Sequence, residues 1–203
     1  MVKSYNLLGY EPIVITAHES SVACMSFNNN GSLLCTASDK GTLLRIFRTD
    51  TGEIMQEVRR GTNDAEIYSI SFDHQSKFIA CTSDKKTIHI FIINTNQMQC
   101  ANENNNVLME GNHNEDDKGE PKNHKSFLGK ISTFFGNNSG YFNSERSFAQ
   151  LRLNETKSIC AFSESHVNTL YVLGNSGKYY EATFDPKSGG TCTILKERQI
   201  NFN

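Results

Sequence analysis

The chain has 203 residues, 37% of them hydrophobic, and a formal net charge of -2 from 20 basic and 22 acidic side chains. That length fits one or two domains with an ordinary core, and the near balance of charge gives no global attraction to nucleic acid or to an anionic membrane, so anion binding has to come from a local cluster. No apolar run approaches the roughly 18 residues that span a bilayer, and the opening MVKSYNLLGYEPIVIT lacks the basic, apolar and small-residue order of a signal peptide, so a soluble, intracellular protein is expected.

The first strand suggested by the sequence is PIVIT, Pro12 to Thr16. After it comes VACMSFNNNGSLLCTASDKGTLLRIF, Val22 to Phe47: three apolar, strand-like runs separated by an Asn/Gly cluster and an Asp-Lys-Gly turn. A fourth strand, EIMQEVR (Glu53 to Arg59), ends in Arg59-Arg60-Gly61. The pattern then repeats as IYSISFDHQSKFIACTSDKKTIHIF, Ile67 to Phe91, with Phe72, Ser83, Asp84 and Thr87 each 45 residues after Phe27, Ser38, Asp39 and Thr42. A weaker third copy, Ser158 to Phe184, places Phe162 another 90 residues on and turns at Asn175-Ser176-Gly177. Further fourth strands are SFAQLRL (Ser147 to Leu153) and CTILKE (Cys192 to Glu197).

A period of about 40 to 45 residues carrying four short strands is that of a β-propeller blade. The fold class is therefore all-β, a partial WD40-like propeller of four-stranded antiparallel blades. Residues 1–19 read as the last strand of a preceding blade, 20–59 as one blade, 60–93 with 147–155 as a second, and 156–203 as a third. Three blades do not close a ring, since propellers typically have four to eight, so the chain is expected to be a portion of a larger propeller. The six cysteines, Cys24, Cys35, Cys81, Cys100, Cys160 and Cys192, form no Cys-x-x-Cys pair and read as reduced core residues.

Residues 94–146 interrupt the second blade. The first part, Asn94 to Lys125, is Asn-rich, acidic and almost free of aromatics, a composition that does not bury enough apolar surface to order itself. In KSFLGKISTFFGNNSGYF, Phe127, Leu128, Ile131, Phe134 and Phe135 are spaced to share one face of a short helix over Lys125 to Phe135, opposite Ser126, Gly129, Lys130, Ser132 and Thr133. Such a helix either packs on the propeller flank or inserts shallowly into a membrane interface. His113 and His124 sit in low-complexity sequence and give no metal site.

Adjacent side chains on a strand point to opposite faces, so Arg59 and Arg60 face separate pockets. Guanidinium groups grip phosphate oxygens bidentately, and each neighbouring repeat supplies hydroxyls and lysines at equivalent turns: Thr36, Ser38, Lys40 and Thr42 in one, Thr82, Ser83, Lys85 and Thr87 in the other. Asp39 and Asp84 read as turn formers.

The segments AHESSVACMSFNNNGSLLCTASDKGTLLRIF, VRRGT, IYSISFDHQSKFIACTSDKKTIHIF and SFAQLRL…SICAF together resemble the PROPPINs, the phosphoinositide-binding β-propellers that include the WIPI proteins of autophagy. The likeness covers nearly the whole chain apart from the Asn-rich insertion and corresponds to about the last three of seven blades, the fifth, sixth and seventh. It implies binding of phosphatidylinositol 3-phosphate and the 3,5-bisphosphate at two sites, and insertion of the long loop of the sixth blade, here with Phe127, Leu128, Ile131, Phe134 and Phe135, into the bilayer. By position, Arg59 would serve the first site with His18, Thr36, Ser38 and Lys40, and Arg60 the second with Ser83, Thr87 and His89. For His18 the competing reading is a hydrogen bond that ties strands together. His89 stands where the first repeat has Arg45.

Val58 replaces the Phe or Leu usual before the family's Arg-Arg-Gly. The blades that recruit autophagy proteins in the family are absent, so those partners do not carry over; the expected partner is a phosphoinositide-containing membrane, with no nucleic acid and no cofactor. The resemblance implies a non-enzymatic, cytoplasmic protein peripherally bound to autophagic, endosomal or vacuolar membranes. Two other readings stay open: a WD40-like protein interaction scaffold, and a truncated fragment without function.

Overall fold

The computed structural model describes residues 2–4, 12–94 and 145–201, and every regular element among them is a strand. Strands β1 (Val2–Ser4) and β2 (Ile13–Ile15) form an antiparallel pair ahead of the first repeat. The sequence suggests only one strand there, because Val2-Lys3-Ser4 is too short to display the two-residue alternation by which a strand is recognised.

The first repeat is an antiparallel meander of β3 (Val22–Phe27), β4 (Leu33–Ser38), β5 (Leu43–Arg48) and β6 (Ile54–Arg59). The second runs β7 (Ile67–Phe72), β8 (Phe78–Ser83) and β9 (Thr87–Ile92). After the insertion, β10 (Glu145–Arg146) pairs in parallel with β6, and β11 (Ala149–Arg152) then joins β9 antiparallel as the second sheet's outer strand. The third sheet is β12 (Ser158–Phe162), β13 (Thr169–Gly174), β14 (Lys178–Asp185) and β15 (Gly189–Gln199). Strand β15 is longer than the six residues its sequence suggests, and its start pairs in parallel with β11, joining the outer strands of the second and third sheets.

The tight turn between the second and third strands of each repeat needs a left-handed residue. Gly41 takes it at φ 58° and Gly177 at φ 80°, but the second repeat places Lys86 there at φ 57°. A Cβ at Gly41 would also run into the carbonyl of Ala65, so that glycine is required twice over. Lys86 bears a cost of about 1 kcal/mol for the same conformation.

The core lies between sheets. Ile88, Ile90, Ala149, Leu151 and Leu153 of the second sheet pack on Cys160, Leu170, Val172, Tyr180, Ala182 and Phe184 of the third. Phe184 meets Phe78 edge to face, with ring centroids 5.0 Å apart, and such pairs add about 0.5 to 1.5 kcal/mol beyond their area. On the far side of the first sheet, Leu34 and Phe47 pack on Ile15 and Ala17 of the β2 region. Cys24, Cys35, Cys81, Cys160 and Cys192 are free thiols, and burial pushes the Cys160 thiol up to about 12, so it stays protonated.

Described residues of the chain fall in one compact unit, Met1–Thr95 with Ser144–Asn203. The residues between, including the helix expected over Lys125 to Phe135, lie outside the described residues. The neck of the insertion is described, and it is fastened to β6. Gln56 Nε2 donates to the Ile92 carbonyl and to Glu145 Oε2, both at 3.0 Å. In return, Asn94 N donates to Gln56 Oε1 at 3.0 Å and Asn94 Nδ2 to Glu145 Oε1 at 2.8 Å. The stretch expected to be inserted thus gives up Glu145 and Arg146 to a strand on the first sheet.

Candidate anion site at strand β6

Strand β6 ends in the two arginines, and its pairing with β5 fixes where each points. Arg45 lies opposite Glu57 and Leu43 opposite Arg59, and directly opposed residues of an antiparallel pair share a face. Arg45 in turn lies opposite Thr36. Leu34 and Phe47, on this same face by the two-residue period, pack against β2. Arg59 therefore faces the β2 side. Gln56 and Val58 take the other face, as the Gln56 bond to the Ile92 carbonyl shows. Arg60 continues on that side.

On the face that Arg59 takes, the register places Thr36 and Arg45, with His18 bonded to Thr36. His18 Nε2 and Thr36 Oγ1 are hydrogen-bonded at 2.9 Å, which ties the β2–β3 connection to β4. Burial first, and then the positive charge of Arg45, lower the His18 pKa, so its ring is neutral at physiological pH. Arg45 was not among the expected site residues. It bonds Glu57 Oε2 through Nε at 2.8 Å and the Ala17 carbonyl through Nη1 at 2.7 Å. Register also sets Arg146 of β10 beside Arg59. Ser38 is buried on β4, whereas Lys40 is exposed in the following turn. Asp39 accepts from Ser20 Oγ, and Asp84 Oδ1 from Glu66 N at 3.2 Å, so both aspartates anchor turns.

The Arg60 side is built differently. Arg60 is only 8% exposed, its Nε donates to the Gly41 carbonyl at 2.9 Å, and its Nη2 donates to the Asn63 carbonyl. Its backbone N also donates to the Thr42 carbonyl at 2.9 Å. The guanidinium holds the β4–β5 turn against the loop after β6.

Facing it across the gap are Ser83, Thr87 and His89 of the second sheet. Ser83 is buried and its hydroxyl accepts from Lys85 N at 3.3 Å; Thr87 is partly exposed. His89 is buried, and its Nδ1 has no hydrogen-bond partner among the described residues. Burial first, then the charges of Arg60 and Arg152, pull its pKa down to about 4. Beside Thr87 opens a groove of about 480 Å³ lined by Lys85, Lys86, Thr87, Arg152, Leu153 and Asn154. Lys86 and Arg152 were likewise not among the expected residues. Thr87 and Arg152 are direct partners in the β9–β11 ladder, a register that the sequence hides because the two strands' partners lie on opposite sides of the insertion.

The arrangement offers neutral hydroxyl and imidazole groups beside fixed cations on each face of one strand, which suits anions bearing vicinal hydroxyls. Among the described residues no group of His, Cys, Asp and Glu has metal-holding geometry, and no helix is long and apolar enough to cross a membrane. The expected membrane-inserting residues Phe127, Leu128, Ile131, Phe134 and Phe135 lie outside the described residues.

Comparison with known proteins agrees with this architecture. The chain is 34% identical over 185 residues to autophagy-related protein 18e of Arabidopsis thaliana, covering 91% of this chain and 42% of that protein. It is 31% identical over 197 residues to WD repeat domain phosphoinositide-interacting protein 2 of Xenopus laevis, covering 93% of this chain and 41% of that one. The fold superimposes on Kluyveromyces lactis Hsv2 with a TM-score of 0.64 at 20% identity, over 94% of this chain and 51% of that chain. The chain thus spans about half the length of the relatives it matches. The PROPPIN family profile matches residues 8–200, nearly the whole sequence including both arginines, and the chain belongs to the PROPPIN family of β-propellers.

Proposed function

We propose that this chain is a phosphoinositide-reading portion of a PROPPIN propeller, recognising phosphatidylinositol 3-phosphate and the 3,5-bisphosphate through Arg59 on one face of β6 and Arg60 on the other. Its three sheets take the place of the family's fifth, sixth and seventh blades. The observation that carries this reading is the divergence of the two arginines toward two groups of hydroxyls and histidines, His18 with Thr36 and His89 with Ser83 and Thr87. A relative that is named for interaction with phosphoinositides aligns over 93% of the chain.

The mechanism is coincidence binding. One phosphoinositide head group gripped by an arginine and a few hydroxyls binds weakly, whereas two such sites and an inserted apolar segment on one body act with high effective concentration. The insertion leaves and re-enters beside β6, where Gln56, Asn94 and Glu145 fasten its neck. Phe127, Leu128, Ile131, Phe134 and Phe135 would supply the apolar contact. The protein then works without catalysis on the cytoplasmic side of autophagic, endosomal or vacuolar membranes.

Flotation with phosphatidylcholine vesicles, with and without phosphatidylinositol 3-phosphate, tests the reading on the wild type and on Arg59→Thr/Arg60→Thr. Phosphoinositide-dependent flotation that the double substitution removes, in a variant whose circular dichroism matches the wild type, supports it. Flotation that ignores the phosphoinositide overturns it and favours a protein-interaction scaffold.

A further inference from the structure

Gln56 in EIMQEVR and Gln150 in SFAQLRL hold the same place in the outer strands of the first and second sheets, yet their side chains are used differently. Gln150 bonds within its own segment, its Nε2 donating to Ser147 Oγ at 2.7 Å. Gln56 is buried and reaches out of its repeat: Nε2 donates to the Ile92 carbonyl and to Glu145 Oε2, and Oε1 accepts from Asn94 N, each at 3.0 Å. One amide thus joins the first sheet to the end of β9 and to both ends of the insertion. Asn94 Nδ2 completes the set by donating to Glu145 Oε1 at 2.8 Å, a bond between residues 51 apart in sequence.

Gln56 is out of character with its surroundings. By register it shares a face with Leu44, Ile46 and Val58, all fully buried. A buried amide on such a face is costly unless its hydrogen bonds are made, and the neck of the insertion supplies the partners. The neck in turn depends on the amide. Strand β10 has only two residues, paired with Val58 and Arg59, and so short a strand is not held by its own ladder. Both carboxylate oxygens of Glu145 are instead taken by the amides of Gln56 and Asn94, and hydrogen bonds to an ionised acceptor are the strong ones.

We infer that Gln56 is a positioning residue for the insertion: with Asn94 and Glu145 it fixes the point at which the insertion leaves and re-enters the body beside Arg59 and Arg60, so that apolar contact and head-group contact with a lipid surface are made together. The inference deepens the phosphoinositide reading above and rests on it. Gln56 acts through the insertion and not on the head group. Its effect is on the effective concentration of the second contact once the first is made, which depends on how the connection between them is held.

The test uses the full 203-residue chain with phosphatidylcholine vesicles carrying phosphatidylinositol 3-phosphate, and with soluble inositol 1,3-bisphosphate followed by calorimetry. Gln56→Glu sets a second carboxylate against Glu145 and weakens vesicle binding about fivefold. Affinity for soluble inositol 1,3-bisphosphate stays unchanged, which a general loss of structure would not allow. Glu145→Ala removes the acceptors from an exposed position and has the same pair of effects without touching the buried face. Gln56→Glu/Glu145→Gln exchanges amide and carboxylate and recovers vesicle binding. In a Phe134→Ser/Phe135→Ser background, where the insertion's apolar contact is already weakened, Gln56→Glu has little further effect. Vesicle binding that Gln56→Glu and Glu145→Ala leave unchanged, or an equal loss for the soluble head group in both, overturns the inference while leaving the phosphoinositide reading intact. So does an exchanged pair that fails to recover, or a loss undiminished in the Phe134→Ser/Phe135→Ser background. Absence of phosphoinositide-dependent binding by the wild type overturns both.

Discussion

The two flanks of β6 solve the same problem in opposite ways. On the β2 side, the arginine of the motif shares its face with a second arginine, Arg45, which is held by Glu57 and the Ala17 carbonyl. On the other side, the motif arginine is itself the residue locked to carbonyls, and the exposed charges come from Lys85 and Lys86 of the β8–β9 turn and from Arg152 on a strand that arrives after the insertion. Position in a motif thus does not fix setting: burial and hydrogen-bond partners decide which guanidinium organises the backbone and which stays exposed to solvent.

The sharpest way to break this contrast is to remove the buried guanidinium. Arg60→Ala leaves the Gly41 and Asn63 carbonyls without their donor, which costs about 2 to 4 kcal/mol. Urea unfolding midpoints of the wild type and the variant measure the loss, and an unchanged midpoint would remove the structural role assigned to Arg60.

A comparable effect is expected at the turn beneath Arg60. Gly41→Ala forces a Cβ into the Ala65 carbonyl at a left-handed φ of 58°, and should cost at least about 2 kcal/mol. The equivalent Lys86→Gly relieves a left-handed lysine and stabilises by up to about 1 kcal/mol. On the phosphoinositide reading, loss of this exposed ammonium beside Thr87 weakens binding to phosphoinositide vesicles, so stability and binding move in opposite directions at one residue.

The histidines provide a pH test. Burial, Arg60 and Arg152 hold the folded-state pKa of His89 near 4, below the ordinary 6.5 it regains on unfolding. The unfolded chain then binds more protons across that interval. Stability is full above pH 6.5 and declines as pH falls toward 4. Urea midpoints at pH 7 and pH 5 should differ accordingly, and His89→Gln should flatten the dependence. A bound phosphate placed beside the ring shifts the balance the other way, so the His89 resonance followed by NMR titrates at higher pH when head group is added.

The smallest effect concerns Glu57. Its pair with Arg45 is about a quarter exposed on each side, and breaking it by Glu57→Gln costs about 1 kcal/mol or less. The same change removes a negative charge from the Arg59 side, so phosphoinositide binding there strengthens a few-fold while the Arg60 side is unaffected. Titration of the single-site variants Arg59→Thr and Arg60→Thr in this background separates the two.

Much of this was legible before any coordinates. The 45-residue offset between Phe27 and Phe72, and between Ser38 and Ser83, carries the repeat architecture, because short alternating strands and Gly/Asn turns leave a local signature that survives divergence. Strict strand alternation makes Arg59 and Arg60 diverge wherever β6 forms. The placements of Arg45, Lys86 and Arg152 were hidden. Each depends on a partner in a different strand, and for Arg152 that partner, Thr87, lies on the other side of the long insertion.

The sequence by itself determined the strand units, the turns and the opposed directions of the two arginines, since these follow from residue periods and backbone preferences within a few neighbours. Only the tertiary structure decided that Arg60 is buried against carbonyls, that His89 keeps a buried nitrogen unpaired, and that Arg152 joins Lys85 and Lys86 as an exposed cation of the groove. The physical reason is that burial and electrostatic environment are properties of what packs across a gap, and the strands that meet here are brought together by register and by the inter-sheet core rather than by closeness along the chain.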